Sequence, residues 1–125
     1  MLASLNHSKI VSSDLQRARQ TAQALADETG LPVHIDSELR ETFAGEWEGL
    51  GREDLQRQFG DELAAWAAGS NLAPGGGERR SEVAARMSAA IDAALADVPP
   101  GGVLVVVTHG GSARAVVLQH PDPRL

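Results

Sequence analysis

Val103-Leu104-Val105-Val106-Val107-Thr108-His109-Gly110-Gly111-Ser112 is the stretch on which the reading of the fold turns. Its first five residues are all aliphatic, with no polar face. That is the pattern of a parallel strand covered by helices on both sides. The run is far too short to span a bilayer, and Pro99-Pro100-Gly101-Gly102 cuts it off cleanly from the segment before it. Beyond it, a histidine and a glycine pair occupy the turn, and Ser112 is placed to cap a helix over 113–118. The stretch therefore predicts a central strand, a turn, and a helix whose N-terminal amides lie beside His109. Such a terminus is a natural site for an anion.

Working outward, the same strand-to-helix unit recurs near the start of the chain. Ile10-Val11 reads as the end of a short strand that stops at Ser12-Ser13-Asp14, where Ser13 and Gln16 have capping-box spacing. Leu15, Ala18, Ala22, Leu25, Ala26 and Thr29 then form one helical stripe, stopped by Gly30 with Pro32 beyond. Val33-His34-Ile35 is a second strand. Leu39 to Leu50 keeps neither period and contains Gly45 and Gly49, so it reads as an ordered loop. Residues 52–59 and 61–68 read as two short helices parted by Gly60, and 69–77 as a loop. From Glu78 a further helix carries Val83, Met87, Ala90, Ile91, Ala94, Leu95 and Val98 on its apolar face. Strands alternating with helices predict an α/β three-layer sandwich, a mostly parallel central sheet with helices on both faces.

Composition narrows the function. The 125 residues are the size of one ordinary domain, and 42% of them are hydrophobic, as in a globular chain. There is no cysteine, which excludes disulfide scaffolds, thiolate metal sites and cysteine nucleophiles. A net charge of −6, with 3% aromatics and no tyrosine, lacks both the basic footprint and the stacking platforms of a nucleic-acid binder. The N-terminus has no basic start leading into an apolar stretch, so no leader is read there. The expectation is a cytoplasmic protein that engages neither nucleic acid nor membrane.

In open α/β sheets ligands bind outside the carboxyl ends of the strands. Two turns present suitable groups there: Ser12 to Arg17, with Arg17 in the first turn of a helix, and Thr108 to Ser112, with His109 beside Gly110. An arginine fork suits bidentate capture of phosphate. Trp47 reads as a packing anchor for its loop, Arg86 as a structural ion pair and Glu78 as a helix N-terminal acid. His7, His34 and His120 lack metal-ligand spacing and read as surface residues. An α/β-hydrolase would need a Gly-x-Ser-x-Gly elbow, which does not occur. A nucleotide loop at Gly75-Gly76-Gly77 would need a following Gly-Lys-Ser/Thr.

Five stretches in order resemble the histidine phosphatase superfamily, the phosphoglycerate mutase-like proteins. Ser12-Ser13-Asp14-Leu15-Gln16-Arg17-Ala18-Arg19-Gln20-Thr21-Ala22 is similar to its arginine motif, and Leu39-Arg40-Glu41 with Gly45-Glu46-Trp47-Glu48-Gly49-Leu50 to its acid-bearing loop. Gly76-Gly77-Glu78 with Val83 and Arg86 resembles its Gly-Gly-Glu helix start, and Val105 to Gly111 its second histidine motif. The resemblance implies a metal-independent phosphomonoester phosphatase, with a mutase or a non-catalytic phosphate-binding module as alternatives. It implies catalytic roles for Arg17, Glu41 and His109. Arg17 would clamp the phosphoryl group; His109, cationic and helped by the amides from Gly110 on, would share it; Glu41 would protonate the leaving oxygen. The neighbouring Glu46 and Glu48 remain alternatives for the acid. No metal and no cofactor are implied. The expected partners are a small phosphorylated metabolite or inorganic phosphate, and a homodimer is admitted. The family's nucleophile lies in an Arg-His-Gly tripeptide, and none occurs in these residues. Residues 1–125 are accordingly expected to be part of one such domain, without its first strand and C-terminal portion, and to lack turnover alone.

Overall fold

The computed structural model describes residues 7–119. Strand β1 (Lys9–Ser12) leads into helix α1 (Gln16–Thr29), strand β2 (Val33–Ile35), helices α2 (Arg52–Ala67) and α3 (Arg80–Leu95), strand β3 (Leu104–Val107) and helix α4 (Gly110–Gln119). The three strands form one parallel sheet in the order β2-β1-β3. Strand side chains alternate between faces, so Ile10, Val105 and Val107 pack toward α1 with Ala22 and Ala26. Val11, Leu104 and Val106 point the other way, into a cluster with Val83, Met87 and Ala90 of α3 and Ala115 and Val116 of α4. Helices therefore cover both faces, and the three-layer α/β sandwich stands as predicted. The alanines on the buried stripe of α1 let that helix lie close to the sheet, and Gly30 ends it in the left-handed conformation.

Several local expectations are corrected. The central strand among the described residues is β1, which pairs on both sides, whereas β3 pairs with β1 alone. An apolar run on both faces reports helices above and below; it does not report how many strands lie alongside. The Ser13–Gln16 capping box does not form, because the Ser13 hydroxyl accepts from the Leu15 N–H at 3.2 Å and turns toward His109. The two short helices expected over 52–68 are present as the two arms of α2, but the break falls at Phe59 (φ −134°, ψ 28°) and not at Gly60. Leu15 and Leu95, counted on apolar stripes, are 39% and 45% exposed and lie outside the core. Helix α4 starts at Gly110, which puts Ser112 inside its first turn and not at its cap. Helix α3 starts at Arg80, so Glu78 lies outside it. His7 and His34 are exposed as expected, and His120 lies outside the described residues.

Candidate functional site

The parallel register sets Ser12 level with Val107, so the residues after each strand leave the sheet side by side. Ser13 donates its N–H to the Val107 carbonyl at 2.9 Å, and its fully buried hydroxyl lies 3.0 Å from His109 Nε2. Arg17, one residue into α1, reaches the same edge. A cavity of about 370 Å³ opens there, bordered by Arg17, Glu41, Thr108, His109 and Gly110. Its size is in the range of small-molecule sites. The three residues proposed to carry the chemistry come from three separate parts of the chain, and the fold brings them together with Gly110. Arg17 is exposed and makes no ion pair among the described residues, whereas Arg40 is engaged by Asp14 and Arg86 by Glu78.

Glu41 sits over the N-terminus of α4. Its carboxylate accepts from the backbone N–H groups of Thr42 at 2.9 Å, Gly111 at 3.1 Å and Ser112 at 2.9 Å. Burial pushes this carboxyl upward, but the three N–H groups and the nearby His109 outweigh it and hold Glu41 below the ordinary carboxylate range. It is an ionised cap in this state. Two of the amides expected to assist His109 are thus taken by Glu41. A Cβ at Gly111 would meet the Glu41 carboxylate at 2.5 Å, so glycine there is what admits the acid. Glu46 and Glu48 are exposed, and Glu48 accepts from the Ala44 N–H instead of facing the cavity.

The loop that carries Glu41 is held by backbone contact. Cβ atoms at Gly45, Gly75 and Gly77 would fall 2.0–2.2 Å from carbonyl oxygens of the facing loop, so the segments 43–47 and 74–77 interlock through glycine. Trp47 is buried beneath, against Phe59 and Trp66 with ring centroids 6.1 and 6.0 Å away. It is the packing anchor expected. Arg40 forks onto Asp14, tying the Glu41 segment to the β1–α1 turn. Glu78, read from sequence as a helix acid, instead grips Arg86 at 2.8 and 3.0 Å. Sequence reasoning missed Ser13, Thr108 and Ser112 as supports of the site. Each lies within a motif already singled out, as a small hydroxyl residue next to a strand end, which was the available signal.

This geometry agrees with what the chain is similar to. A glucosyl-3-phosphoglycerate phosphatase of Mycobacterium tuberculosis is 40% identical over 114 residues, covering 86% of this chain and 51% of that protein. A 2,3-bisphosphoglycerate-dependent phosphoglycerate mutase of Afipia carboxidovorans is 32% identical over 111 residues, covering 85% and 54%. The chain thus spans about half the length of these curated relatives. Among solved structures, a mycobacterial glucosyl-3-phosphoglycerate phosphatase in complex with inorganic phosphate superposes with a TM-score of 0.78 at 41% identity, over 86% of this chain and 56% of that one. Among the described residues no helix is long and apolar enough to cross a membrane. The model of branch 1 of the histidine phosphatase superfamily matches residues 1–121, nearly the whole sequence, and with the ordered motifs and their shared cavity it settles the family: the chain is a member of the histidine phosphatase superfamily.

Proposed function

We propose that this chain supplies the phosphoryl-binding half of a metal-independent phosphomonoester phosphatase. The observation that carries the reading is the meeting of Arg17, Glu41 and His109 at one cavity on the carboxyl edge of the sheet. Phosphoryl transfer needs chiefly positioning and neutralisation of charge. Arg17 offers a guanidinium fork with no ion-pair partner among the described residues, and His109, with Nε2 3.0 Å from the Ser13 hydroxyl, offers its ring at the same edge. Glu41 is the acid for the leaving oxygen. It rests ionised, and a phosphate dianion in the cavity raises its proton affinity by like-charge repulsion, which loads it for donation.

The substrate proposed is a small phosphorylated metabolite, with glucosyl-3-phosphoglycerate the first to try because phosphatases of that name are among the relatives. Phosphatase is preferred to mutase because the middle region is short, whereas mutases of this superfamily usually carry extra segments that close over the substrate. Calorimetry with inorganic phosphate tests the site itself. Arg17→Ala and His109→Ala should each weaken binding by about tenfold or more, the value of one charged hydrogen bond. Equal affinity in wild type and both variants would end the reading.

A further inference from the structure

The segment that delivers Glu41 is irregular, yet four consecutive carbonyls in it are met by side chains. Arg86 Nη1 donates to the Glu38 carbonyl, Thr108 Oγ1 to that of Leu39, Ser112 Oγ to that of Arg40 at 2.7 Å, and Arg86 Nη2 to that of Glu41 at 3.1 Å. Thr108 and Ser112 flank His109, so two of these supports come from the turn that also borders the cavity. Arg86 supplies the other two, from α3. Its guanidinium is itself fixed by a fork onto Glu78, through Nε at 2.8 Å and Nη2 at 3.0 Å. Glu78 also accepts from the Phe43 N–H at 2.9 Å, two residues beyond Glu41. The pair therefore holds the chain on both sides of Glu41.

We propose that Arg86, backed by Glu78, is a positioning residue that fixes the Glu41 carboxylate over the N-terminus of α4. The purpose assigned to that carboxylate rests on the proposed function; the positioning itself does not. A stabilising ion pair alone would need only the fork. Here two further donors of the same guanidinium go to the carbonyls of Glu38 and Glu41, and the side chains of Arg86 and Glu78 are only 17% and 25% exposed. Lysine presents one compact ammonium and cannot span a carboxylate and two carbonyls at once. Arg86→Lys is therefore a variant that keeps charge and stem while losing the span.

The test follows the amide protons of Gly111 and Ser112 against pH by NMR in the 125-residue chain, together with the Glu41 carboxyl carbon. The titratable and charged groups around Glu41 are His109 from the β3–α4 turn, Arg17 from α1 across the cavity, and the Arg86–Glu78 pair from the α3 side. In the wild type both amides should titrate with the Glu41 carboxyl, at a midpoint below the ordinary carboxylate range. In Arg86→Lys and Arg86→Met the amides should lose most of that titration, and the Glu41 midpoint should move up toward the ordinary range. A merely stabilising pair would lower the melting temperature and leave both midpoint and amide response as they were; that result overturns the proposal. Should Arg86→Met fail to fold, Arg86→Lys alone decides. Phosphate titrated into the same wild-type sample separates the two readings. If no phosphate binds but the amides respond as expected, the proposed function falls and the positioning role stands.

Discussion

Replacing Glu41 by glutamine should make the protein less stable and, at the same time, a better phosphate binder. The carboxylate accepts three backbone N–H groups, two of them from the first turn of α4. Glutamine keeps one acceptor oxygen but sets an NH₂ against the remaining N–H. Losing the charge at the helix N-terminus costs about 0.3–2 kcal/mol. Losing one charge-assisted bond costs about 1.5–3 kcal/mol more. Because the folded-state pKa is depressed, this stabilisation is complete above the ordinary carboxylate pKa and disappears as pH falls through the lowered native value. The gap between wild type and variant in urea unfolding should be flat near neutrality and close in acid. Binding should move the other way, since a negative charge has left the cavity. A cavity of about 370 Å³ has an edge of about 7 Å. At about 7 Å a unit charge is worth about 0.6 kcal/mol in water and about 2.4 kcal/mol at an effective dielectric of about 20. Phosphate affinity by calorimetry should therefore rise between about threefold and about fiftyfold. A variant that binds phosphate more weakly than the wild type would refute the reasoning.

Ser13→Ala tests the support of His109. The Ser13 oxygen accepts the Leu15 N–H and lies 3.0 Å from His109 Nε2, and a hydroxyl can serve that nitrogen as donor or acceptor. The variant should be about 1–3 kcal/mol less stable, and long-range nitrogen–proton NMR should show the tautomer balance of the His109 ring shift; an unchanged balance would remove Ser13 from the site. The 125-residue chain, with no Arg-His-Gly tripeptide, should not hydrolyse an aryl phosphate, while a protein extended upstream through such a tripeptide should. His109-dependent turnover by the short chain would show that another residue accepts the phosphoryl group.

Much of this was legible in the sequence, for physical reasons particular to each element. The unbroken aliphatic run of residues 103–107 is a local property of a strand covered on both faces, and it made the layers legible. The alanine stripe and Gly30 marked α1 to its last residue. Sheet order was not legible, because the side chains of β3 meet α1 on one face and α3 with α4 on the other whether or not a strand lies alongside. The three cavity residues came from family motifs, and only tertiary structure could place them together. The state of Glu41 was beyond reach, since it depends on amides 70 and 71 residues away. For the same reason Arg86 looked like an ordinary ion pair: its partners Glu38 and Glu41 are carbonyls 48 and 45 residues distant, which no side-chain pattern announces.

The central claim is that Arg17 and His109 together hold a phosphoryl group. Crystals of the chain grown with orthovanadate test it most directly, because vanadium is located unambiguously by its anomalous scattering. One vanadate is expected in the cavity, within hydrogen-bond distance of the Arg17 guanidinium and the His109 ring, with the Glu41 carboxyl beside it. Vanadate bound elsewhere, or a cavity left empty at concentrations that saturate binding in solution, would contradict it.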